Sequence, residues 1–314
     1  MRIDGSPTAI ARRYLAVQAG AGALWWIAVF LADDVRRLTL GGWNPAVLVG
    51  PDLAFFVGGS AMAAFTGGRR WAAATAAWTI AITIALTTYA LAERNAGWGA
   101  LLMAPAAIGT VGAATVLRLG HLPVRWFFIG PFAFRPAPAR SAASHLRHSL
   151  TQLVVFWTSF LVLLPLAIAW GEGRLRLDQA GLDRHPWPGV GIATFVLGSC
   201  VGLWSCVSMA IVGEGTPLPA ATGRRLVVVG PYRWVRNPMA VAGAVQTIGA
   251  GLVLGSWLVV ASAVLGGLIW NTFIRPREEA DLARRFGDDY ERYRARVACW
   301  VPRSRWRRSV SPPS

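Results

Sequence analysis

Residues 237–274 read NPMAVAGAVQTIGAGLVLGSWLVVASAVLGGLIWNTFI, two apolar runs (237–255 and 257–274) meeting at Gly255-Ser256. Each is long enough for a helix to cross the hydrocarbon core of a bilayer. Asn237-Pro238 is an N-cap followed by a first-turn proline. The two runs are either two independent spans or one tight helical hairpin. The same pattern recurs upstream at 14–32, 46–66, 71–92, 99–118, 149–170 and 189–212. A soluble chain of 314 residues suggests two domains, but 54% hydrophobic and 15% charged residues with a mean hydropathy of +0.45 override that expectation. The fold class is all-α, a polytopic transmembrane helical bundle of about eight spans. The first run is span-length without a small-residue cleavage site, so no cleavable signal peptide is expected.

Charge orders the spans. The net charge of +16 is carried by arginine alone. With both termini in the cytoplasm, 25 of the 31 arginines fall in inner segments and six in outer ones. This is the positive-inside asymmetry, and it requires an even number of spans. It replaces nucleic acid as the reason for a basic chain. Trp43, Trp71, Trp98, Trp126, Trp170, Trp187 and Trp257 lie near span ends, where indole favours the interface. The expected organisation is a four-span region at 1–120, a basic and aromatic linker at 121–148, a second membrane region at 149–303 and a basic tail at 304–314. The terminal "RSRWRRSV" suits anionic lipid headgroups.

Chemistry is expected where charge and irregular backbone meet the bilayer edge. Residues 227–240, VVVGPYRWVRNPMA, provide a Gly230-Pro231 turn, the aromatic faces of Tyr232 and Trp234, and a helix start beside Arg236. Free N–H groups at that start form an anion site with Arg236; the plainer reading is an ordinary capped re-entry into the membrane. Downstream, RPREEADLARRFGDDYERYRARV (275–297) begins with a first-turn proline and runs as an amphipathic cytoplasmic helix. Leu282, Phe286, Tyr290, Tyr293 and Val297 share one face. Glu278 and Glu279 project about 40° and about 60° either side of Leu282. Acids so placed need a cation, from Arg236, Arg275 or a ligand; alternatively they suit the helix dipole. An anion-binding turn, aromatic faces and acids seeking a cation suit a zwitterionic ligand with an aromatic group, such as S-adenosylmethionine.

The elements GPYRWVRNPM (230–239), EEADLARRFGDDYERYRARV (278–297) and VPR (301–303), with GEGTPLP (213–219) and RRLVVVGPY (224–232) upstream, resemble the isoprenylcysteine carboxyl methyltransferase family, which is related to membrane phospholipid N-methyltransferases. The resemblance covers about 145–303; the first four spans have no counterpart in it. It implies S-adenosylmethionine as methyl donor, held by Gly230, Pro231, Tyr232, Arg236, Asn237, Pro238 and one or both of Glu278 and Glu279. It implies an arginine on the substrate side, Arg275 or, alternatively, Arg277. It also implies a lipophilic or membrane-associated acceptor, and the expected location is a bacterial inner membrane. Two departures stand out. Ala240 occupies a position where members often carry tyrosine, and Asn237 replaces the histidine of eukaryotic members. No general base is evident, and a thiolate or carboxylate acceptor needs none. An NADPH-dependent membrane reductase of the sterol type shares only the loose FG..Y..Y pattern. A non-catalytic scaffold keeping the fold is the third reading.

Other candidates are bland. His145 and His148 are three apart with no third ligand, and Cys200, Cys206 and Cys299 lack metal-ligand spacing, so no metal site is expected. Asp52, after Pro51 in the second span, is expected near the outer interface.

Overall fold

Residues 237–274 form a tight helical hairpin. Asn237 Oδ1 accepts from Ala240 N (3.1 Å), and the helix Pro238–Leu254 ends at Gly255 in the left-handed region. Ser256 then caps the next helix through Val259 N (3.2 Å). The 17-residue helix and its partner therefore run antiparallel across a two-residue turn.

The computed structural model describes residues 5–123, 137, 141–177, 182, 184–216 and 222–302. Nearly all of the linker beyond residue 123 up to 140, with Trp126, lies outside these residues, as do the basic tail and 217–219 of the GEGTPLP element. The described helices are α1 (Pro7–Leu31), α2 (Asp33–Leu40), α3 (Pro45–Thr66), α4 (Arg69–Glu93), α5 (Gly97–Leu119), α6 (Ala143–Arg174), α7 (Trp187–Ile211), α8 (Pro238–Leu254) and α9 (Trp257–Arg296). Seven are long and apolar enough to cross a membrane, and α8 is a shorter apolar helix. Leu31, Phe65 and Ile108 are 82%, 80% and 76% exposed. Side chains of this kind on the outside of a helical bundle fit a lipid environment and not water. The chain is an integral membrane protein built as a polytopic helical bundle.

Two compact units result, one of 1–124 with 171–179, the other of 125–170 with 180–314. In the first, Ser6 and Asn44 cap α1 and α3, each followed by proline at the first helical position. Arg12 closes the other end of α3, donating to the carbonyls of Ala64 and Phe65 at 2.6 Å each. Ala11, Leu15, Ala63, Ala72 and Val116 form a core of small and branched residues. Between the helices, Gln18 donates to Ser60 Oγ (3.0 Å) and accepts from Thr110 Oγ1 (2.8 Å). Such polar links hold membrane helices together where burial against lipid offers no driving force.

Asp52 lies inside α3 and is held by neighbouring helices. It is buried a third of the way along α3, and both carboxylate oxygens accept indole N–H groups, Oδ1 from Trp78 and Oδ2 from Trp26, each at 2.8 Å. Pro51 lacks the N–H for the helical ladder, and residues 53–58 widen into π turns. Those donors replace water, which is why the acid tolerates a position inside the helix rather than at its end.

In the second unit α7 and α8 touch through small residues. A Cβ on Gly191 would sit 2.8 Å from Gly249 O, so the backbones meet where no side chain intervenes. Gln246 Nε2 ties α8 to Ser199 Oγ at 3.0 Å. His148 Nδ1 lies 2.9 Å from Ser144 O, and among the described residues no cluster of three metal-ligating side chains occurs.

The amphipathic segment is not a separate helix. The last span passes through π turns at Trp270–Ile274 and runs on past Pro276 as far as Gly287, with a further helical stretch to Arg296, 40 residues in all. The wider turns accommodate Pro276, whose ring nitrogen cannot donate. Gly287 (φ 50°, ψ −127°) then breaks the helical path, so the single face expected from Leu282 to Val297 is re-aimed midway. Tyr290 and Tyr293 are buried beyond the break, and before it the buried residue is Asp281, paired with Arg284 and Arg285.

Candidate functional site

The stretch 230–238 forms one wall of the site. Gly230 takes φ +58°, and a single 3-10 turn, Gly230–Arg233, follows with Pro231 and Tyr232 buried. The turn lies hard against α7: a Cβ on Gly230 would sit 2.7 Å from Ser208 Oγ and 3.0 Å from Trp204 Nε1. Trp204 also meets Trp234 edge-to-face at 5.4 Å, and the Arg233 guanidinium stands 5.0 Å over the Trp234 ring. Gly230→Ala is therefore expected to cost about 2 kcal/mol, from a left-handed backbone plus crowding. Thermal unfolding in detergent measures it. Gly243→Ala in α8, where nothing lies within 4 Å, is the matched control and should not lower the midpoint.

The second wall is the end of the 40-residue helix, and a chain reversal binds it to the first. Val235 bridges to Ala298, and Arg236 N donates to Ala298 O at 2.9 Å. Tyr293 Oη donates to Tyr232 O at 2.6 Å. Arg236 sits at the junction: Nη1 donates to the carbonyls of Arg294 and Val297 (3.0 Å each) and Nη2 to Glu279 Oε1 (2.8 Å). Both partners of that ion pair are nearly buried, at 12% and 14% exposure.

The adjacent acids are held differently. Glu279 is surrounded by cations, with Arg275 Nε at 3.0 Å and Arg294 Nε at 3.7 Å in addition to Arg236. Glu278 receives a hydrogen bond from Asn237 Nδ2 (3.2 Å). Burial, reinforced by the neighbouring Glu279 carboxylate, pushes the Glu278 carboxyl up to about 7, against the lowering effect of the Asn237 bond. Two buried polar atoms on the opposite wall, Tyr232 Oη and Arg236 Nε, have no hydrogen-bond partner among the described residues. Buried groups of that kind are seldom left unpaired.

All eight residues assigned to the cofactor thus fall in one region of the second unit. Of the helix-start N–H groups offered to an anion, that of Ala240 is already taken by Asn237 Oδ1. Arg275 joins the acids and also donates to Asn271 Oδ1 (2.6 Å), while Arg277 donates to Phe273 O on its own helix. Sequence reasoning missed Arg294, Asn271 and the α7 pair Trp204 and Ser208. Asn271 also accepts from Trp300 Nε1 at 3.0 Å. An intramembrane asparagine is a readable signal; Arg294 carried none, because it lies past the break at Gly287.

Residues 188–289 match the family model described as phospholipid methyltransferase. Over 79 residues the chain is 34% identical to the protein-S-isoprenylcysteine O-methyltransferase of Schizosaccharomyces pombe, covering 24% of this chain and 33% of that protein. The chain therefore matches about a third of the length of that curated relative. No solved structure matches. The family-model match spans the turn and the acid pair that meet around Arg236, and the chain is similar there to membrane methyltransferases of the phospholipid type and, over 79 residues, to the isoprenylcysteine type.

Proposed function

We propose that the second unit transfers a methyl group from S-adenosylmethionine to a lipophilic or membrane-associated acceptor bearing a thiol, carboxylate or amine. The observation carrying this reading is the unequal treatment of the two acids. Glu279 is neutralised by arginines and serves the architecture. Glu278 faces no paired arginine, which suits the ammonium or sulfonium of a cationic ligand. Arg236 Nε and Tyr232 Oη offer polar contacts to the rest of it, and the close-packed Gly230 turn leaves the backbone bare of a side chain there.

When bound, S-adenosylmethionine supplies a methyl group on a positively charged sulfur, already activated for transfer. The protein's part is placement and exclusion of water. Asn237 orients Glu278 while capping α8, so that acid is fixed to a rigid helix start. Arg275, fixed between Glu279 and Asn271, is the arginine placed to act on the acceptor side. Exposed apolar flanks let an acceptor arrive from the lipid. The arginine asymmetry supports both termini in the cytoplasm, in a bacterial inner membrane.

Isothermal titration of the detergent-purified chain tests the reading, with NADPH as comparison. S-adenosylmethionine is expected to bind, and Glu278→Gln to weaken it about tenfold or more by removing a charged contact. The variant's unfolding midpoint should stay at or above the parent's, since a buried charge is removed. Binding of NADPH in place of the methyl donor would move the unit to the reductases. Binding of neither would leave a scaffold.

A further inference from the structure

The first unit contains a cavity of its own, about 370 Å³, within the range of small-molecule sites. Its lining is mostly apolar and includes four indoles, Trp25, Trp26, Trp43 and Trp78. Three further side chains with polar groups, Tyr14, Gln18 and Asp52, also line it, and the Tyr14 hydroxyl donates to Ala106 O at 3.1 Å. Gln18 is neutral and ties helices together, its amide nitrogen donating to Ser60 and its oxygen accepting from Thr110. Asp52 is the acid of the lining. Trp26 and Trp78 each give one N–H to a carboxylate with roughly four lone-pair positions, leaving acceptor capacity.

The indole pair also bears on the charge. Indole nitrogen only donates, so each oxygen of Asp52 accepts one hydrogen bond, an arrangement that also stabilises the ionised form when a cation stands beside it. Neither arginine nor histidine is among the described residues lining the cavity, and the chain has no lysine. A carboxylate buried in a membrane bundle is costly without a cation. Here the cavity wall supplies the other element that attracts one, several electron-rich rings around a single acid. The geometry points to a binding site in the first unit for an organic ammonium ion with an apolar body, its charge against Asp52 and its body among the tryptophans. This site does not depend on the methyl-transfer reading; every residue in it belongs to the first unit, upstream of the residues 188–289 that the family model matches.

Equilibrium dialysis of the full chain in maltoside micelles tests it with two probes of the same shape, benzyltrimethylammonium and its uncharged carbon isostere neopentylbenzene, corrected for micelle partitioning. The ammonium is expected to bind at least tenfold tighter than the isostere. Asp52→Asn should abolish that preference while leaving the isostere's affinity unchanged. Trp25→Leu, which removes neither hydrogen bond to Asp52, should weaken the ammonium more than the isostere. Equal affinities in the parent chain, or a preference surviving in Asp52→Asn, would overturn the proposal. Should Asp52→Asn fail to fold, the parent comparison and Trp25→Leu decide it. Nanodiscs separate the sources of the cation. Probe binding in phosphatidylglycerol that is lost on adding phosphatidylethanolamine identifies a lipid ammonium, and binding that survives identifies a free lipophilic amine.

Discussion

Arg236→Ala should lower the stability of the second unit by about 3 kcal/mol, a larger cost than any other single change at the site. The side chain does three things at once. It neutralises Glu279 in a nearly buried pair, and it satisfies the carbonyls of Arg294 and Val297. Removing it leaves those two acceptors without this donor and pulls away the contact holding 294–298 against the turn. Arg275 and Arg294 stay close to Glu279, which keeps the loss below that of a fully orphaned buried charge. The unfolding midpoint is expected to fall by about 10 °C. Thiol labelling of the buried Cys206 on heating, with Cys200 and Cys299 replaced by serine, reads it. Arg236→Lys keeps the charge but not the planar fork, and should recover less than half of the loss. A fall of under about 1 kcal/mol would mean that the other arginines suffice and that the pair behaves as an exposed one.

The same residue shows what the sequence made legible. Span positions follow from local composition, so all eight apolar segments reappear as helices, and Gly255-Ser256 was readable as a turn because glycine and a capping serine have local roles. Arg236, Asn237 and Glu279 were readable as chemistry because each has a charge or cap that demands a partner. Which partner each one takes was not local. Glu278 and Glu279 are neighbours in sequence, and helical phase alone gave either the cation. The choice is made by Asn237, 41 positions away, and by an arginine beyond a glycine whose backbone abolishes the helical phase. The continuity of α9 escaped for a related reason: a proline at 276 ordinarily starts a helix, and only the π turns before it let the span run on. Asp52 was noticed, but its partners were not readable. Its indole donors come from α1 and α4, 26 residues to either side, and nothing in its immediate neighbours announces them.

The raised carboxyl of Glu278 leads to the second large effect, a pH dependence of methyl-donor binding. Its folded value of about 7 lies above the ordinary 4.5, so the folded chain holds a proton there that the unfolded chain releases. Ionising it in place is therefore a cost that grows as pH rises from about 4.5 to 7 and is constant above that. A cationic ligand reverses the preference, since it favours the charged acid and must displace the proton to bind. Affinity should be flat above pH 8 and fall about tenfold between pH 8 and 6, where the ionised fraction drops from about nine-tenths to one-tenth. Below that it should lose a further tenfold per unit until the carboxyl of the complex itself titrates. Calorimetry in buffers of differing ionisation enthalpy would detect close to one proton released per ligand at pH 6 and almost none at pH 8. Glu278→Gln should bind weakly and with this pH dependence removed. Glu279→Gln should keep a pH dependence but with its midpoint displaced downward, because the neighbouring negative charge that helps raise Glu278 is gone. A pH profile unchanged in Glu278→Gln would place the titration elsewhere and leave Glu278 without a role in binding the cation.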